Sequence, residues 1–152
     1  MLLYDIIKDM PVFEKFSERE KRLFSNMDHS FLAFNKGDRI ITEGGMFSSL
    51  YLIIKGSVLI TKTDFQAPIG RLGTGQIFGE MSFLSDKPRY SNVIAAERVF
   101  VLKMEKTSFH NVDPVLKEKI ISYLIELLIK RLDGMNDILL SMANFARGHL
   151  LP

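Results

Sequence analysis

Cysteine and tryptophan are both absent from this chain of 152 residues. Without a thiol there is no disulfide framework, no thiolate nucleophile, no iron–sulfur cluster and no cysteine-ligated zinc. Histidine is scarce. His29, His110 and His149 stand far apart, with no pair at metal-ligand spacing on a strand, so neither a metal site nor a metal-dependent catalytic barrel is expected. A charge bias is missing as well: 20 Lys+Arg against 18 Asp+Glu leave a net charge of +2, too little to suggest a nucleic-acid partner or an anionic membrane surface. Long apolar runs are lacking too. The greasiest stretch, Ile120 to Ile129, contains Glu126 and runs into Lys130 and Arg131, about half of the roughly 20 residues a bilayer span requires. The start, Met1-Leu2-Leu3-Tyr4-Asp5, has no basic segment and meets an acid at once, so it does not read as a signal peptide. A cytoplasmic protein is the expectation.

What is present is punctuation. Eight of the 10 glycines fall between Gly37 and Gly79, interleaved with short runs rich in Val, Ile, Leu and Tyr. These runs are Arg39–Thr42, Leu50–Lys55, Ser57–Thr63, Ile69–Leu72, Asn92–Ala96 and Val99–Met104, too short for helices and bounded by turn residues. Thr63 to Pro68 reads as a loop joining two of them. Many short strands with glycine turns predict a sandwich or barrel. Ahead of this core, Ser17-Glu18-Arg19-Glu20 is a capping-box pattern, followed by Leu23, Phe24 and Met27 on one helical face. After it, Asp113-Pro114 places an N-cap before a proline at the first helical position, opening a long helix to about Phe145 that only Gly134 interrupts. The expected organisation is a single domain over 1–152: a helical lead (1–30), a β-rich core (31–106) and C-terminal helices (107–146).

The chemistry concentrates between Leu72 and Arg89. A glycine-rich turn delivers Glu80 into the short apolar turn Glu80–Leu84, and Pro88-Arg89 follows. Gly79 permits close backbone approach, the first amides of the short turn can face an anion, and Arg89 carries a planar fork suited to phosphate. Glu80, an acceptor, suits a hydroxyl donor. Together these describe a seat for a small sugar phosphate. Two plainer readings stay open: Arg89 pairing with Glu80 or Asp86 at the surface, and Glu80 simply capping the short helix. No acid–base pair or nucleophile arrangement stands out, so no catalytic residue is assigned.

Phe78-Gly79-Glu80-Met81-Ser82-Phe83-Leu84 with Pro88-Arg89, and upstream Glu43-Gly44, Leu50-Tyr51-Leu52-Ile53 and Lys55-Gly56-Ser57-Val58, are similar to the cyclic-nucleotide-binding domain family of catabolite activators and protein kinase A regulatory subunits. The resemblance runs from about Phe13 to Leu140. It implies a mainly β fold, a β-roll of jelly-roll type (a cupin-like double-stranded β-helix) with a short N-terminal helix and a long C-terminal one. It implies a cyclic mononucleotide, cAMP or cGMP, as ligand and no cofactor. Glu80 would take the ribose 2′-hydroxyl and Arg89 the cyclic phosphate, with Gly79, Met81 and Ser82 lining the sugar-phosphate. Two departures from the family pattern stand out. Tyr90 and Ser91 occupy positions usually small, so Tyr90 either crowds the phosphate seat or lies outward and leaves Ser91 to contribute. Gly45-Met46-Phe47-Ser48 replaces a compact, acidic loop. A degenerate roll that has lost its ligand and serves only as an interaction module is the competing expectation.

Ile125, Leu128, Leu132, Met135, Leu139 and Met142 recur at three- and four-residue steps, a heptad seam. A second stripe, Ile120, Leu124, Leu127 and Ile138, is available for the chain's own roll. The resemblance implies that the long helix dimerises and covers the nucleotide, and a homodimer through the seam is expected; the alternative is that both stripes pack on the chain's own core.

Overall fold

The computed structural model describes residues 2–150 and divides into two compact units, one up to Leu116 and the other from Lys117 on. The first unit opens with α1 (Leu3–Ile7), a 3-10 turn at Pro11–Phe13 and α2 (Glu18–Ser25). The Ser17 hydroxyl accepts from the Glu20 amide at 3.1 Å, so the expected cap starts α2. Phe13 and Phe24, both buried, meet with ring centres 4.8 Å apart and anchor the lead. Beside them His29 takes its place: its Nε2 lies 2.6 Å from the Phe24 carbonyl, while Nδ1 is enclosed without a partner. Burial holds its pKa below the ordinary histidine value, because a second ring proton would have no acceptor.

Eight strands follow: β1 (Ser30–Phe34), β2 (Arg39–Ile41), β3 (Leu50–Lys55), β4 (Val58–Lys62), β5 (Phe65–Leu72), β6 (Ile77–Phe78), β7 (Asn92–Ala95) and β8 (Val99–Met104). They form two four-stranded antiparallel sheets, ordered β1-β8-β3-β6 and β2-β7-β4-β5. Alternate residues of both sheets meet between them. Ile41, Val58, Val93 and Ala95 come from one sheet, and Tyr51, Ile53, Phe78, Val99 and Val101 from the other. This is the expected β-roll. The rings of Tyr51 and Phe78 stack in it at 4.9 Å.

The details depart from the sequence reading in three places. Phe65 to Pro68 is strand, not loop, because Lys62 pairs with Phe65 and shrinks the turn to Thr63-Asp64. Pro68 is tolerated there since β5 lies at the edge of its sheet, where a missing amide costs no ladder bond. β1 and β6 were not among the expected runs. The first alternates exposed and half-buried residues, and the second is only two residues long. Gly134 does not interrupt the last helix.

Between β6 and β7 lies α3 (Glu80–Ser85), and after β8 come α4 (Lys106–His110) and α5 (Pro114–Leu150). The Asp113 carboxylate accepts from the Val115 amide at 3.0 Å, which is the predicted cap. α5 carries on through the second unit. Along it Ile125, Leu132, Met135, Leu139 and Met142 are exposed, and so are Ile129, Ile138 and Phe145, whereas Leu128 is half-buried. Among the described residues no helix is long and apolar enough to cross a membrane.

Candidate functional site

Arg89 is the centre of the site, and its surroundings explain why an arginine can be held there. It is only 6% exposed. Its Nη1 donates to the Gly79 carbonyl at 3.0 Å and its Nη2 to the Ser49 carbonyl at 2.7 Å. Two of five guanidinium donors are thereby used, leaving three N–H groups in the same fork for an anion. Burial lowers its pKa, opposed by the fields of Tyr51, Glu80 and Glu105, and an arginine stays charged through such a shift. Asp86, one partner considered for it, is instead engaged by Lys106 at 2.6 Å.

Gly79 caps α3 with φ +85°, a conformation that a side chain resists. A Cβ there would lie 2.8 Å from the Ser49 carbonyl oxygen and 3.0 Å from Arg89 Nη1. The close approach expected at this glycine is therefore made first by the protein's own backbone and arginine. Glu80 follows as the first residue of α3 and is 6% exposed, so one buried carboxylate and one buried guanidinium flank the turn. Ser82 is buried, and Met81 is exposed. Their amides stand in the first turn of α3, where an α-helix has no internal acceptors to offer.

The two departures from the family pattern now have positions. Tyr90 is 68% exposed, with the Lys62 ammonium 4.4 Å from its ring centre; of the two orientations considered, the ring takes the outward one. Ser91 is half-buried. Phe47 is 85% exposed and Met46 70%, so the bulky loop turns its side chains to solvent rather than into the roll. Both ends of that loop are tied to Arg89. The Gly44 amide donates to the Arg89 carbonyl and the Arg89 amide to the Gly45 carbonyl, each at 2.8 Å, while Ser49 closes the other end.

Several residues of this assembly escaped the sequence reading. Ser49, 2% exposed, gives its carbonyl to Arg89 and its hydroxyl to Glu105 at 3.0 Å. Asn92, 3% exposed, accepts from the Glu43 amide at 2.9 Å. The Glu43 carboxylate takes the Lys62 ammonium and the Thr63 amide, both at 2.8 Å, and Lys62 in turn donates to the Tyr90 carbonyl. Lys62, then the Thr63 bonds, hold the Glu43 pKa down to about 2. Glu43, in the Glu43-Gly44 pair of the family pattern, and Asn92, a polar residue at the head of an apolar strand, carried a visible signal; Ser49 and Lys62 did not. Among the described residues no group of three or more His, Cys, Asp or Glu is placed to hold a metal.

This architecture is found in known proteins. The family model for the cyclic nucleotide-binding domain matches residues 31–112, from β1 through the end of α4. The chain belongs to the cyclic nucleotide-binding domain family. A cAMP-dependent protein kinase regulatory subunit of Debaryomyces hansenii is 32% identical over 109 residues, 71% of this chain and 24% of that protein. The chain thus spans about a quarter of the length of such relatives. A solved cyclic nucleotide-binding domain from Methylobacillus flagellatus superposes with a TM-score of 0.82 at 24% identity, covering 91% of this chain and 83% of that one. The regulatory domain of Toxoplasma gondii PKA, solved with cAMP, gives 0.67 at 22% identity over 81% of this chain and 48% of that one. At these identities the solved structures speak for the fold. Within the cyclic nucleotide-binding domain, Gly79 to Arg89 occupy the segment between β6 and β7.

Proposed function

We propose that this cyclic nucleotide-binding domain takes up a cyclic mononucleotide, cAMP or cGMP, as a non-catalytic cytoplasmic sensor. The supporting observation is the buried Arg89, oriented by two backbone carbonyls and left with free donors, beside a buried Glu80. Arg89 takes the cyclic phosphate and Glu80 the ribose 2′-hydroxyl. Backbone at Gly79, Met81 and Ser82 lines the sugar-phosphate, with Ser91 rather than the Tyr90 ring beside the phosphate. The 32% identical cAMP-dependent protein kinase regulatory subunit of Debaryomyces hansenii supports a ligand of this class. Melting in the presence of cAMP, cGMP or 5′-AMP tests the reading. A cyclic nucleotide at 100 times its dissociation constant adds about 2.7 kcal/mol, a rise of roughly 5–10 °C for a domain this size, and 5′-AMP adds far less. Unchanged melting with both cyclic nucleotides would sink it.

The sensor is proposed to report through α5 as a homodimer. Ile125, Leu132, Met135, Leu139 and Met142 are each 48–63% exposed along one heptad seam, to which Leu128 also belongs. A second copy supplies the same seam, which makes a two-fold interface self-complementary. Leu132→Asp places a charge at its centre. Sedimentation is expected to show a dimer for the wild type and a folded monomer for the variant; a wild-type monomer at tens of micromolar protein would refute the interface.

A further inference from the structure

Arg89 does not hold itself in place. The segment 89–92 is fastened to two neighbouring stretches of chain, and the fastening converges on one ion pair. On one side Arg89 exchanges backbone bonds with Gly44 and Gly45 at 2.8 Å. On the other, the Lys62 ammonium donates to the Tyr90 carbonyl and covers the Tyr90 ring at 4.4 Å. Glu43 joins the two sides. Its carboxylate binds Lys62 and the Thr63 amide at 2.8 Å, and its own amide donates to the Asn92 side chain at 2.9 Å. Asn92 in turn donates to the Thr63 hydroxyl at 3.4 Å. The Lys62 and Glu43 side chains are 32% and 27% exposed, sheltered enough to be ordered yet dispensable to the core.

We infer that Lys62, steered by Glu43, is a positioning residue for Arg89: it fixes the 89–92 segment so that the guanidinium fork meets the ligand's phosphate, without touching the ligand itself. This rests on the reading of Arg89 as the phosphate-binding residue. The physical reason is the tolerance of a bidentate contact. A fork–phosphate contact is sensitive to misplacement of a fraction of an ångström, and a lysine that clamps the next carbonyl removes that freedom. Tyr90 at the following position then has a use. Its ring gives the lysine a face to rest on, whereas a small residue there would not.

The test is a double-variant cycle read by calorimetry with cAMP and cGMP. Lys62→Met keeps the stem but loses the donor and the charge; Lys62→Arg keeps both. Lys62→Met is expected to weaken binding by roughly 10-fold or more, because a fork displaced by a fraction of an ångström loses part of its contact with the phosphate. Lys62→Arg should stay within about 3-fold of wild type. The discriminating readout is the background. In Arg89→Lys, which has no fork left to aim, Lys62→Met should change affinity by less than about 2-fold, because coupled residues are not additive. The same loss in both backgrounds, or Lys62→Met binding like wild type, would overturn the positioning role while leaving the functional reading intact. A wild-type chain that binds neither nucleotide would overturn that reading, and this inference with it.

Discussion

Arg89→Leu is expected to reduce cyclic-nucleotide affinity by roughly 100- to 10,000-fold, the consequence of about 3–5 kcal/mol for removing one partner of a buried charged pair. The structure adds a second consequence. Arg89 donates to the carbonyls of Gly79 and Ser49, so the leucine also takes a charged donor from two backbone acceptors next to α3. Gly79 keeps the Phe83 amide at 3.2 Å, whereas Ser49 loses its donor, and a loss of about 1–3 kcal/mol of stability follows. Arg89→Lys separates the two roles. One ammonium can serve a carbonyl or a phosphate but cannot reproduce the planar fork, so it should melt closer to wild type while still losing most of the affinity. Titration calorimetry on variants shown folded by melting checks both halves. Near-equal affinity of Arg89→Leu and wild type would end the phosphate assignment.

How much of this could be read from residues alone varies with what each residue answers to. β3, β7 and β8 were legible because their apolar runs are short, rich in Val, Ile, Leu and Tyr, and bounded by turn residues. The caps at Ser17 and Asp113 were legible because they are local: donor and acceptor lie within three residues. β6 was hidden because two residues carry no period, and the strand at Phe65–Pro68 was hidden because its proline argues against a ladder unless the strand is an edge. The site divides the same way. Gly79, Glu80 and Arg89 lie in one stretch whose order is informative. Ser49, Lys62 and Glu43 reach it only through the folded roll, across 40 positions in the case of Ser49 and Arg89. Nothing in the local sequence of Lys62 says that the Tyr90 carbonyl will arrive beside it.

Gly79→Ala should be the most damaging methyl group that can be added to the proposed phosphate seat. Gly79 sits at φ +85°, where an L-residue costs about 1–2 kcal/mol before any contact is counted. The added Cβ would then lie 2.8 Å from the Ser49 carbonyl oxygen and 3.0 Å from Arg89 Nη1, with Ile41 Cδ1 at 3.5 Å. The first of these is backbone and cannot swing away, and the second is the group proposed to bind the phosphate. Either α3 shifts or the guanidinium is displaced, so stability and affinity fall together, by about 3 kcal/mol in melting and 10-fold or more in binding. Gly37→Ala is the matched control. Gly37 has φ +90° but meets nothing within 4 Å, so it bears the backbone strain alone, about 1–2 kcal/mol, with no loss of nucleotide affinity. If the two variants melt alike and bind alike, the Ser49–Gly79–Arg89 contact is soft, and the rigidity assigned to the phosphate seat does not exist.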